Sequence, residues 1–181
     1  MLSCEKTVLL LVDVQGRLAR IMHDQASLFN SLELLIKGIQ ILNVPILWLE
    51  QIPSKLGPTV EEIGSLISGT GITPIEKDCF SCCNEPLFME KLTALDRKQV
   101  IITGIETHIC VFQTTNDLLE KGFDVHVVSD CVSSRTPENK EIGLQRMRQS
   151  GACITSVEMA LFELMKRAKG DHFKQIVSLI K

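Results

Sequence analysis

Short runs of consecutive apolar residues recur along this chain, and each is followed by a stretch whose apolar residues fall at helical spacing. In Val8-Leu9-Leu10-Leu11-Val12 neither face of an extended segment carries a polar side chain. A strand of that kind is covered on both sides, as in parallel sheets flanked by helices. Comparable runs occur at 45–49, 100–103 and 124–128, with weaker ones at 73–77 and 152–154. Pro74 suits the run at 73–77 to a sheet edge. Helical periodicity fills the intervals at 27–42, 61–67, 86–95, 107–121, 138–149, 157–168 and 174–180. The pattern predicts an α/β protein. It is a three-layer α-β-α sandwich around a six-stranded parallel, doubly wound sheet, with right-handed crossovers. Residues 1–181 read as one domain, without internal repeat or linker.

The charge distribution narrows the function classes. Nineteen Lys and Arg against 22 Asp and Glu give a net charge of −3, and the cations are scattered. Neither a nucleic acid nor a membrane is expected as partner. No apolar run approaches the ~20 residues of a spanning helix. The N-terminus leads directly into a strand, so a cytoplasmic location is expected. Seven cysteines at irregular spacing predict reduced thiols rather than a disulfide framework. Cys79, Cys82 and Cys83 cluster, but a zinc site takes about four ligands and no matching Cys or His pair stands elsewhere. A redox dithiol among these three is an alternative reading of the cluster.

Three residues stand where chemistry is expected. Cys110 follows the run ending at Thr103 and opens the next helix, at the carboxyl edge of the sheet. That edge is where open α/β sheets bind ligands. A helix N-terminus also favours thiolate over thiol, which predicts a depressed Cys110 pKa. Asp13 ends an otherwise apolar strand, as a helix N-cap or as a general base. Lys77 ends the third strand, either as a solvated charge or as an ammonium that stabilises thiolate and carries a proton. Gln15 is open between turn chemistry and a positioning donor. Cys4, Cys131 and Cys153 fit small buried hydrophobes.

Four segments together carry a family resemblance. Leu9 to Gln15, Glu76-Lys77 with Phe80-Ser81, Gly104-Ile105-Glu106-Thr107-His108-Ile109-Cys110-Val111, and Ser129 to Arg135 occur in order. The pattern resembles the isochorismatase-like cysteine hydrolases, in particular a short subgroup without a known substrate, over nearly the whole chain. The resemblance implies a catalytic triad of Asp13, Lys77 and Cys110. The thiol attacks a carbonyl or carbamoyl-type carbon to form a covalent acyl-enzyme. It also implies a cis Ile105–Glu106 peptide and an oxyanion hole from the Glu106 and Cys110 amides. Members that bind a metal use an Asp-x-His motif after the second strand. Here that stretch is Leu49-Glu50-Gln51-Ile52-Pro53, so no metal and no other cofactor is expected.

The expected activity is hydrolysis of a small amide, carbamoyl or ester-like metabolite. The alternative is a catalytically silent fold serving as an oligomeric or partner-binding module. Substrate contacts are expected from Gln15, Leu18, Phe80, Ile105 and Arg135, with Ile52 nearby. Arg135 holds either a substrate carboxylate or its own loop. Glu106 and His108 line the pocket or a subunit contact, and Thr107 caps a helix. The resemblance further implies a homo-oligomer, for which Met159, Leu161, Phe162, Leu164 and Met165 offer an apolar stripe.

Overall fold

All six residues of β1 (Thr7–Val12) are buried, as are those of β2 (Ile46–Gln51) and β4 (Gln99–Ile105). Such strands need neighbours on both sides and helices on both faces, and they have them. The computed structural model, which describes residues 1–181, places these strands in an all-parallel sheet ordered β3-β2-β1-β4-β5-β6. The edge strands are β3 (Ile75–Lys77) and β6 (Cys153–Thr155), and β5 (Asp124–Ser133) lies between β4 and β6.

Alternating side chains divide the core into two layers. Leu9, Leu11 and Ile101 pack on one face with α2 (Gln25–Ile41), α4 (Glu61–Ser68), α8 (Val157–Met165) and α9 (Asp171–Ile180). Val8, Leu10, Val100 and Ile102 pack on the other with α5 (Pro86–Ala94), α6 (Phe112–Glu120) and α7 (Pro137–Gln149). This is the expected doubly wound sandwich. The strand order reverses between β1 and β4, so a crevice opens at their carboxyl ends.

Local structure departs from expectation where sequence periodicity is weakest. Two short helices, α1 (Gly16–Arg20) and α3 (Pro53–Leu56), lie in segments with too few residues to show a period. The expected helix at 107–121 is two pieces: a π turn over Thr107–Val111, then α6. The helix expected to reach 168 stops at Met165, because Lys166 turns left-handed at φ 60°.

Two features of the sheet shape the crevice. From Ile102 to Gly104 β4 advances two residues while β5 advances five, from Val127 to Val132. The resulting bulge carries Ser133 and Ser134 to the rim. There Ser133 Oγ donates to the His23 carbonyl (2.7 Å), and the His23 N–H donates to the Ser134 carbonyl (2.8 Å). Beside the bulge, Gly104 has φ 112°, and a Cβ there would lie 1.9 Å from the Val12 carbonyl oxygen. Only glycine lets β4 approach β1 this closely just before Asp13.

Gly104→Ala is therefore expected to destabilise the fold by roughly 3 kcal/mol through strain and overpacking. Urea unfolding measures it; a midpoint equal to wild type would contradict the close-approach argument.

Candidate active site

Three strand ends bring the expected residues together. Asp13 follows β1 in a left-handed conformation (φ 53°), one that Asp tolerates better than most residues. It caps no helix; the residue preceding α1 is Gln15. Its carboxylate is 2 % exposed, and its Oδ2 accepts from Lys77 Nζ at 2.7 Å. Lys77, 3 % exposed, reaches Asp13 across the end of β2. The Cys110 thiol lies near enough to the same carboxylate for each group to change the other's proton affinity. Asp13 Oδ1 is buried with no hydrogen-bond partner.

The Lys77 ammonium is fully committed. It has three protons, and the Gln51 Oε1 (2.6 Å), Asp13 Oδ2 (2.7 Å) and Cys79 carbonyl (3.1 Å) accept them. Lys77 is thus no solvated surface charge but a buried ammonium bonded on every side. Burial opposes its charge, but the neighbouring Asp13, Cys82 and Cys110 outweigh that and raise its pKa. Burial likewise raises Asp13, against the lowering influence of Lys77.

Gln51, which sequence reasoning used only to exclude a metal motif, turns out to organise the cation. Its Nε2 donates to the Asp78 carbonyl (2.9 Å), which leaves its oxygen facing Lys77. Its own N–H donates to Gln15 Oε1 (2.6 Å). Gln15 Nε2 in turn donates to the carbonyls of Gln51 (3.2 Å) and Gly57 (2.7 Å). Gln15 is thus consumed by backbone and, being 0 % exposed, does not face a substrate. The available signal was the polar pair Glu50-Gln51 ending an apolar strand beside β1.

Cys110 sits in the π turn, 7 % exposed. Its thiol is pushed up to about 12, first by burial and then by the Asp13 charge, with Lys77 opposing. The expected depression by a helix N-terminus is overturned: at neutral pH this group is a thiol. The peptide between Ile105 and Glu106 is cis; the Glu106 carbonyl accepts from the Ile109 and Val111 N–H groups (3.0 and 3.3 Å), while its own N–H donates none of the loop and turn backbone bonds.

Other expected contacts are redistributed. The Glu106 carboxylate accepts from the Arg135 amide (3.0 Å) and Nε (3.2 Å), so Arg135 ties down its own loop. His108 Nδ1 lies 3.0 Å from Ser134 Oγ. Thr107 is not a cap; it begins the turn, and its hydroxyl is buried without a partner. Ile105 is fully buried, Leu18 half-buried, and Phe80 55 % exposed. All seven cysteines are free, with Cys82 fully buried beside Lys77.

Comparison with known proteins agrees with this fold. The Isochorismatase domain pattern matches residues 7–159. Isochorismatase family protein 1A of Dictyostelium discoideum is 42 % identical over 180 residues, covering 98 % of this chain and 87 % of that protein. The structure described as MAR1 ribonuclease from Caenorhabditis elegans superposes with a TM-score of 0.91 at 34 % identity, covering 99 % of this chain and 91 % of that one. YcaC from Pseudomonas aeruginosa, solved with hexane-2,5-diol and covalent acrylamide, gives a TM-score of 0.92 at 25 % identity, covering 98 % and 90 %.

Two outcomes follow from the charges. Asp13→Asn removes a carboxylate that disfavours the Cys110 thiolate, so the alkaline midpoint of Cys110 alkylation is expected to fall. Lys77→Met removes the opposing cation and raises it. Residue-resolved iodoacetamide labelling against pH distinguishes these; shifts of the same sign in both variants would refute the arrangement.

Buried thiols also set an alkaline limit. Burial holds Cys83 and Cys110 at about 12 and Cys131 well above the ordinary value of 9.0. The folded chain keeps these protons where the unfolded chain has lost them, so stability falls as pH rises through and beyond 9. Urea unfolding in reductant from pH 8 to 11 is expected to show that decline, shallower in Cys131→Ala; a flat profile would contradict it.

Proposed function

The chain belongs to the isochorismatase family of hydrolases, and on that premise we propose that it is a cysteine hydrolase of a small amide, carbamoyl or ester-like metabolite, with Cys110, Asp13 and Lys77 as its working set. The observation that carries the reading is the Asp13 carboxylate. One oxygen is held by Lys77, and the other is buried without a partner beside a neutral thiol.

In this reading Cys110 Sγ attacks the carbonyl carbon, forming a C–S bond, while its proton passes to Asp13 Oδ1. The carbonyl oxygen becomes an oxyanion that accepts from the Glu106 and Cys110 amides. Asp13 then protonates the departing amine or alcohol as the C–N or C–O bond breaks. Water, deprotonated by Asp13, attacks the thioester; the acid departs and the sulfur regains a proton. Lys77 stays protonated throughout and holds the carboxylate in place. The YcaC relative carries a covalently bound acrylamide, an electrophile to which thiols add, and this supports a reactive nucleophile in the fold.

The relative described as a ribonuclease raises a phosphodiester substrate. A hollow of about 310 Å³ on the outer side of Lys77, not lined by Asp13 or Cys110, carries Glu76, Asp78 and Glu85, and these charges repel a nucleic-acid backbone approaching from there. A small uncharged or cationic substrate suits the site better. Self-association completes the reading: Met159 and Phe162 are exposed side by side on α8, whereas Leu161 and Leu164 are core.

Turnover of a panel of small amides and esters tests the assignment. Cys110→Ala is expected to abolish it, and Asp13→Asn to lower kcat by about 10²–10⁴. Full activity in Cys110→Ala on any substrate the wild type hydrolyses would exclude the thiol mechanism.

A further inference from the structure

We propose that helix α7 clamps the turn that carries Cys110, and that Gly143 is the positioning residue that lets it do so; this rests on the reading of Cys110 as nucleophile. α7 runs from Pro137 to Gln149, and Thr136 caps it by accepting from the Asn139 N–H. Gly143 lies at its middle, although glycine is the poorest helix former after proline. The helix does not need a glycine for its own backbone, so the reason must lie in what it touches.

What it touches is the start of the nucleophile turn. A Cβ at Gly143 would stand 3.0 Å from Thr107 Cγ2, 3.0 Å from the Thr107 carbonyl oxygen and 3.1 Å from His108 Cα. Two of these three atoms are backbone and cannot rotate away. Thr107 is itself 0 % exposed, so it has no open space to move into. One helical turn on from Gly143, the Arg146 guanidinium lies 4.4 Å from the centre of the Phe112 ring. Phe112 is the residue directly after the π turn. α7 therefore meets the turn at both ends, Thr107–His108 through Gly143 and Phe112 through Arg146, with Cys110 between them.

α7 is in turn fixed to the sheet by Leu144 and Met147, both in the core layer that also holds Cys110 and Val111. With the helix anchored, a methyl group at Gly143 displaces the turn by a few tenths of an ångström. Cys110 then moves relative to Asp13 and to the amides proposed to bind an oxyanion. Displacements of that size in a reacting pair cost roughly tenfold in rate.

Gly143→Ala tests the clamp by labelling as well as turnover, with Cys153, which is exposed, as internal control. The expected result is a roughly tenfold change in Cys110 alkylation rate, or a moved alkaline midpoint, with Cys153 labelling and Tm close to wild type. Turnover is expected to fall in kcat rather than rise in KM. Adding Thr107→Ser removes one of the three crowding atoms and is expected to recover part of the loss. An unchanged Cys110 profile in Gly143→Ala would overturn the proposal. So would a parallel change at Cys153, no recovery with Thr107→Ser, or failure of Gly143→Ala to fold, each of which assigns the contact to general packing. Failure of the underlying reading looks different: there, Cys110→Ala keeps full turnover of a substrate that the wild type hydrolyses.

Discussion

A buried ion pair, Lys77 to Asp13, is the interaction on which the rest of the site depends. Both groups are within 3 % of complete burial, and charges in such a position are costly unless each is fully bonded. Sheet topology makes the pair possible: β1 and β3 flank β2, so the two side chains meet over the end of the strand between them. The register Gln51↔Lys77 then puts an amide oxygen where the ammonium needs its second acceptor. Gln15 and the Gly57 carbonyl hold Gln51 in turn. The ion pair, the glutamine pair and the loop after β2 form one unit, and no member of it is free to leave.

That unit decides the state of the thiol. A helix N-terminus typically favours an anion by about 0.3–1 kcal/mol. Moving a thiol from 9.0 to about 12 corresponds to about 4 kcal/mol in the opposite direction, at roughly 1.4 kcal/mol for each unit. Burial and the Asp13 charge therefore win. A resting protonated thiol resists adventitious alkylation, and in the proposed reaction its proton leaves only when a carbonyl is at hand. Pairing a buried base with a buried acid is one way to tie nucleophile formation to substrate arrival.

Most of the fold was legible because apolar runs are long-range statements: β1 at 8–12 and β4 at 100–103 must be covered on both faces wherever they lie. The addresses of Asp13, Lys77 and Cys110 followed, since each ends or follows such a run. What was not legible depended on single hydrogen bonds between distant segments. Nothing local to Gln51 says that its amide meets Lys77, and nothing local to Arg135 says that Glu106 holds it. The π turn was hidden too, because its apolar spacing over five residues matches an ordinary helix. The thiolate expectation failed for a related reason: it weighed the local helix end and omitted, first, the burial of the thiol and, second, the charge of the carboxylate that the sheet brings in from 97 positions away.

The grip of Arg135 on Glu106 has a consequence for what the site can hold. The Glu106 charge, like that of Asp13, pushes the Cys110 thiol upward, so two carboxylates border the reacting sulfur. A transition state with negative charge on oxygen is disfavoured by both. Lys77 offsets one of them and Arg135 offsets the other, through its backbone N–H and its Nε together. The two cations thereby leave the crevice near neutrality. A substrate bringing its own negative charge would upset that balance beside the sulfur, where Lys77 has spent its protons and the Arg135 Nε is engaged with Glu106. The charge layout thus favours a neutral acyl or carbamoyl group over an anionic one, on the same grounds that keep the resting thiol protonated.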